Sequence, residues 1–135
     1  MSLQSDADRT FLALTLWREC RGESRDGKEA VAHSIMNRLR SPSWGNTIQN
    51  VVFQRLQYSS LTYDKDPQLT NWPLDSDASW KECLQIAEMV MTGQTPNPIG
   101  AGDSYHDTSI KSPNWATPDR FIGQIGRLRF YKTGK

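Results

Sequence analysis

Histidine and cysteine are scarce in this chain of 135 residues, with two of each: His33, His106, Cys20 and Cys83. Two cysteines cannot build a dense disulfide framework, and no C-x-x-C pair or H-E-x-x-H run supplies zinc-ligand spacing. No metal and no other cofactor is therefore expected. The two thiols read as small buried apolar residues, with a single disulfide as the alternative. Excess charge of one sign is missing too. Sixteen Lys and Arg stand against 15 Asp and Glu, a formal charge of +1, whereas nucleic acid as the main partner calls for a basic excess. No run nears the roughly 18 apolar residues of a membrane span, and the mean hydropathy is −0.67, so no membrane insertion is expected. The N-terminus lacks the basic and apolar regions of a secretory signal, which suggests a protein that works in the cytoplasm or is carried out by something else. Repeats, low-complexity tracts and an interdomain linker are absent. The length suits one domain over 1–135, with residues 1–5 expected to be poorly ordered. Aromatic residues are plentiful: five Trp, four Tyr and four Phe, too many for a disordered chain.

Apolar spacing predicts a mostly helical domain with long loops and little strand. A first helix is expected to start after Ser5 or Asp6, with Leu12, Leu16 and Cys20 at i, i+4 and Ala13 and Trp17 beside them. Glu19 falls at the margin of that face. Gly22 to Gly27 reads as a turn. A second helix is expected over about 28–39 on Val31, Ala32, Ile35 and Leu39, ended by Ser41-Pro42-Ser43-Trp44-Gly45. Asn46 or Thr47 can cap a short helix carrying Ile48, Val51 and Val52. From Gln57 to Asp77 no period is sustained, which predicts a long functional loop with room for a short hairpin. A further helix is expected over about 79–92. The end, 121–131, alternates enough to include a strand.

Chemistry concentrates in Trp17-Arg18-Glu19-Cys20-Arg21-Gly22-Glu23. Partial burial and the negative end of the helix dipole should both raise the pKa of Glu19. Arg18, Arg21 and Arg25 would oppose this if they reached it. A carboxylic acid held protonated near neutral pH is what protonating a glycosidic oxygen requires. A solvated glutamate among arginines would present the same string. Glu23 is the rival acid, read as structural and holding the start of the next helix. A Cys–His peptidase is disfavoured, because a reactive thiol sits at a helix N-terminus and Cys20 does not. Trp44, Trp72 and Trp115 fall in loops, where they either stack on sugar rings in a cleft or plug the edge of the core.

The string Glu19-Cys20-Arg21-Gly22-Glu23-Ser24 resembles the E-A-R-G-E signature of the spore-cortex-lytic, SleB-like family of cell wall hydrolases, with Cys20 in place of the usual Ala. Gly27, Ala30-Val31-Ala32, Asn37-Arg38, Gln57-Tyr58-Ser59, Gly100-Ala101, Tyr105-His106, Pro113-Asn114-Trp115 and Ile122-Gly123 continue the match through Tyr131. The resemblance implies an α+β, mostly α, lysozyme-like domain of the lytic transglycosylase type. It implies cleavage of the β-1,4 bond between N-acetylmuramic acid and N-acetylglucosamine in peptidoglycan, with Glu19 as the catalytic acid. Gln57, Tyr58, Ser59, Trp72, Tyr105 and Trp115 become the expected substrate-binding residues, with Gln57 or Ser59 bonded to Glu19 or to the sugar beside it. A transglycosylase needs one carboxyl. A hydrolase would need a second, for which Asp64, Asp66, Asp75, Asp77 and Asp103 are the candidates. A muramidase using water and a non-catalytic glycan-binding module are the alternatives. A monomer resembling a phage endolysin is expected, held in the cytoplasm of an infected bacterium until released to the wall, or else carried on the virion.

Overall fold

The computed structural model describes residues 2–41, 43–54 and 57–134. Its centre is helix α1, Leu3–Cys20. Ser2 caps it, its hydroxyl accepting from the Ser5 N–H at 3.1 Å, so the helix starts several residues before the expected caps at Ser5 and Asp6. Met1 lies outside the described residues. Leu12 through Arg18 are buried without interruption. The C-terminal half of α1 is thus enclosed on all sides, where the sequence suggested one apolar face. Helices α2 (Arg25–Arg40), α3 (Ile48–Val52), α4 (Ser59–Thr62) and α5 (Ala78–Met91) follow, and α1 packs against all four. Full burial of side chains such as Leu12, Leu14 and Leu16 contributes about 1.5–3 kcal/mol each, which makes α1 the main apolar support of the domain.

Side-chain caps set the helix boundaries. The Ser24 hydroxyl accepts from Gly27 N–H at 3.1 Å, so α2 begins inside the stretch expected to be a turn. Gly27 sits tightly there: a Cβ would meet the Glu23 Cβ at 3.3 Å, and Glu23 would have to give way to it. The helix ends with the Ser41 N–H on the Arg38 carbonyl; Pro42, expected to stop it, lies outside the described residues. Thr47 caps α3 and Asp77 caps α5. The expected long loop after Gln57 holds no hairpin. It contains α4 and a 3-10 turn at Pro67–Thr70, capped by Asp66.

Among the described residues three antiparallel strands complete the fold: β1 (Ser104–Asp107), β2 (Phe121–Ile125) and β3 (Leu128–Tyr131), in the order β1-β3-β2. Strands β2 and β3 form a hairpin whose turn uses Gly126 at φ 59°, a conformation glycine adopts freely. Strand β1 has no counterpart in the sequence reading. Its buried residues, Ser104 and His106, are polar, so it shows no apolar alternation. Cys20 and Cys83 are both buried free thiols. Burial pushes the Cys83 thiol up to about 11 and that of Cys20 further still, which removes either as a nucleophile at neutral pH.

Candidate active site

Glu19 is the penultimate residue of α1, and its side chain points toward the sheet. Tyr105 of β1 donates its hydroxyl to Glu19 Oε1 at 3.3 Å, long for an O–H···O bond. The pairing of Tyr105 with Phe130 on β3 holds it in place. Burial raises the Glu19 pKa, and the charge of Asp66 acts in the same direction. The Ser60 hydroxyl, the Tyr105 hydroxyl and the Ser60 N–H partly offset this. The Ser60 hydroxyl is the largest of these lowering influences, although its Oγ makes no hydrogen bond of good geometry. The three neighbouring arginines turn elsewhere. Arg18 donates to the Ser60 and Asn71 carbonyls, Arg21 to the Trp17 carbonyl and Gln68, and Arg25 to Glu29 and Gln85.

Two cavities meet at this carboxyl. One, of about 280 Å³, is walled by Arg38, Trp44, Gln57, Tyr58 and Trp115 together with Glu19 and Tyr105. The other, of about 510 Å³, is bordered by Arg21, Glu23, Asp107 and Arg127 together with the same Glu19 and Tyr105. Glu19 thus stands between an aromatic lobe and a charged lobe, on a concave surface of ligand-binding size. Burial pushes the Tyr58 phenol up to about 12 and that of Tyr105 well above its ordinary value, so both remain neutral donors at physiological pH.

The aromatic lobe is held by Arg38, which the sequence reading placed only in a motif. Its guanidinium donates to the Asp103 carbonyl, to Gln57 Oε1 at 2.7 Å and to Ser104 Oγ at 3.3 Å. It also packs on the Trp44 ring at 4.0 Å and the Tyr58 ring at 5.2 Å. Trp115 is fixed by edge contacts with His106 and Tyr131. The buried Asp103 carboxylate is occupied by the N–H groups of Thr133 and Gly134, both at 2.8 Å, which ties the C-terminal segment to the lobe.

Of the expected binding residues, Gln57, Tyr58, Tyr105 and Trp115 line the first cavity with Glu19. Gln57 bonds Arg38, not Glu19 as one reading of the sequence had it. Ser59 and Trp72 are not part of either cavity wall. The Ser59 hydroxyl donates to Asp66 Oδ2 at 2.7 Å. Trp72 is 65% exposed and lies over the Arg18 guanidinium at 4.7 Å. The aspartates weighed as a second carboxyl have other partners or positions: Asp66 and Asp77 cap helical turns, Asp103 is occupied as described, and Asp64 and Asp75 are exposed. Glu23 does not cap α2, which Ser24 does; its Oε1 faces Arg127 Nε at 3.7 Å. His33 is buried with Nε2 on Thr95 Oγ1 at 3.0 Å. Trp44, weighed in the sequence as a loop tryptophan for a cleft, does line the first cavity; Arg38, Ser60, Ser104 and Thr133 were missed, and the basic residue in Asn37-Arg38 was the one signal for any of these four.

A mostly helical domain with a small sheet and a carboxyl buried at a helix end between two cavities defines the class. Residues 22–131 match the cell wall hydrolase family, and the chain belongs to it. The match begins just after Glu19. The chain is 30% identical over 129 residues to the spore cortex-lytic enzyme of Halalkalibacterium halodurans, covering 93% of this chain and 35% of that protein. It is 37% identical over 57 residues to that of Bacillus subtilis, covering 42% of this chain and 19% of that protein. The chain thus spans well under half the length of these relatives. The catalytic domain of the germination-specific lytic transglycosylase SleB from Bacillus anthracis superposes with a TM-score of 0.74 at 26% identity, over 98% of this chain and 97% of that one. The catalytic domain of Bacillus cereus SleB gives the same TM-score and identity over 94% and 91%. The fold is therefore the SleB, lytic-transglycosylase-like fold. Among the described residues no helix is long and apolar enough to cross a membrane.

Proposed function

We propose that this chain cleaves the β-1,4 bond between N-acetylmuramic acid and N-acetylglucosamine in peptidoglycan, as a lytic transglycosylase with Glu19 as its acid and base. The observation that carries the reading is the Glu19 carboxyl, raised in pKa by burial and set between two cavities. The protonated carboxyl gives its proton to the glycosidic oxygen as the C1–O bond breaks, and becomes a carboxylate. It then takes the proton of the muramyl C6 hydroxyl as that oxygen bonds C1, which restores the acid and leaves a 1,6-anhydro ring. No activated water is consumed, and the attack gains from being intramolecular. Family membership and the SleB-like fold support glycan cleavage. The partners found for the loop aspartates support the single-carboxyl route, because a hydrolase needs a second carboxyl at a defined separation.

Digestion of purified sacculi followed by mass spectrometry tests this. The expected products are muropeptides one water lighter than hydrolysis products. A full set of reducing-end muropeptides would instead mean that a second group activates water, with Asp66 the carboxylate to examine first, since its charge reaches Glu19.

Phage-type host lysis is the setting proposed with this activity. Cells producing the chain are expected to keep growing, then to lyse promptly once chloroform opens the inner membrane. Spontaneous lysis without chloroform would show that the chain reaches the wall by its own route.

A further inference from the structure

The geometry points to Arg18 as a positioning residue for Glu19, acting through the segment from Ser60 to Asn71. This rests on the reading of Glu19 as the acid. Arg18 is only 7% exposed. Its Nη1 donates to the Ser60 carbonyl and its Nε to the Asn71 carbonyl, each at 3.1 Å. One guanidinium therefore holds both ends of this segment against the helix that carries Glu19. The Trp72 ring closes over it at 4.7 Å, which gives that exposed tryptophan a place in the arrangement. A planar fork can serve two carbonyls in different directions at once, and a lysine ammonium on a flexible stem cannot hold the same geometry.

The segment so held carries much of what surrounds the Glu19 carboxyl. Ser60, 1% exposed, presents its hydroxyl and N–H to it, and Asp66 acts on it by charge. The charge of Asp66 reaches Arg18 as well. The other titratable groups facing Glu19 are Tyr105 from β1, Tyr58 just before α4 and Cys20 on α1. Tyr105 is held by β1, which Arg18 does not touch, and Cys20 is held by α1 itself. Release of the segment admits water to the carboxyl, and burial is the largest cause of its raised pKa.

The test follows the Glu19 carboxyl by carbon NMR of isotope-labelled glutamate, assigned by the signal lost in Glu19→Gln. Turnover of soluble glycan strands is measured across pH in parallel. Arg18→Lys is expected to lower the Glu19 pKa by about one unit and kcat by about a hundredfold, with little change in KM. Ser60→Ala is expected to move the pKa the other way, because the hydroxyl it removes had lowered it. Arg18→Gln keeps one donor and most of the stem, and stands in if the lysine variant does not fold; the same direction is expected. A folded Arg18 variant with the wild-type Glu19 pKa, or with wild-type kcat, overturns the proposal. The NMR reading needs no substrate, so a wild-type protein that cleaves no glycan would overturn the functional reading and leave this measurement free to decide on Arg18.

Discussion

Glu19→Gln is expected to lower glycan cleavage by about 10²–10⁴, the usual contribution of a general acid, while the protein stays folded. The amide keeps the shape of the side chain and can still accept from the Tyr105 hydroxyl, which lies 3.3 Å from Oε1. It cannot give up a proton to the leaving oxygen. Stability should change in a direction that depends on pH. Folding raises the Glu19 pKa, chiefly by burial. A group raised in this way contributes stability below its unfolded pKa, and that contribution is lost as pH rises through the folded one. Glutamine carries no such dependence. The variant should therefore gain on the wild type at neutral pH, and the gain should vanish at about pH 3, below the ordinary glutamate pKa of about 4.3. Thermal melts at the two pH values, run beside a turbidity assay on sacculi, check both parts. Near-wild-type lysis by Glu19→Gln together with its loss in Glu23→Gln would move the acid to Glu23, which borders the charged cavity and faces Arg127.

How much of this was legible in the sequence depended on whether a residue's surroundings were local. Glu19 was legible because the apolar spacing of α1 placed it at the edge of a buried face near a helix end. Helix α3, with its Thr47 cap, and α5 were legible for the same reason, since caps and periodicity act over a few residues. The start of α1 was misread because several polar residues near Ser2 can all cap, and only packing selects among them. Strand β1 was invisible, because it buries Ser104 and His106 and pairs with a strand more than twenty residues away. Trp72 and Trp115 show the limit within the site. Both are loop tryptophans, and nothing nearby in sequence says that one faces the cavity while the other covers Arg18. Arg38 was hardest to see. It sits among polar residues of α2 and resembles a solvated face, yet its partners come from Gln57, Asp103 and Ser104.

Arg38→Met carries the largest expected loss of stability. The arginine is 6% exposed, and its three hydrogen bonds join α2 to the start of β1 and to the residue before Tyr58. Methionine fills part of the space between the Trp44 and Tyr58 rings but donates nothing, so the Asp103 carbonyl and Gln57 Oε1 each lose their donor from Arg38. Buried hydrogen bonds to a charged group and stacking on two aromatic faces are each worth a few kcal/mol at most, and they overlap. A net loss of about 3 kcal/mol is expected, or a fall of roughly 10 °C in Tm for a domain of this size. Activity should fall further than stability explains. Gln57 and Trp44 would no longer be held in register with Glu19, and small misplacements of a binding wall reduce turnover by about a hundredfold. Arg38→Lys should recover little, since one ammonium cannot reproduce a fork aimed at three acceptors. Melting curves and turnover at a temperature where both variants are fully folded separate the two effects. A methionine variant that melts with the wild type would mean that the aromatic lobe is held by the His106, Trp115 and Tyr131 ring contacts, with Arg38 contributing little to it.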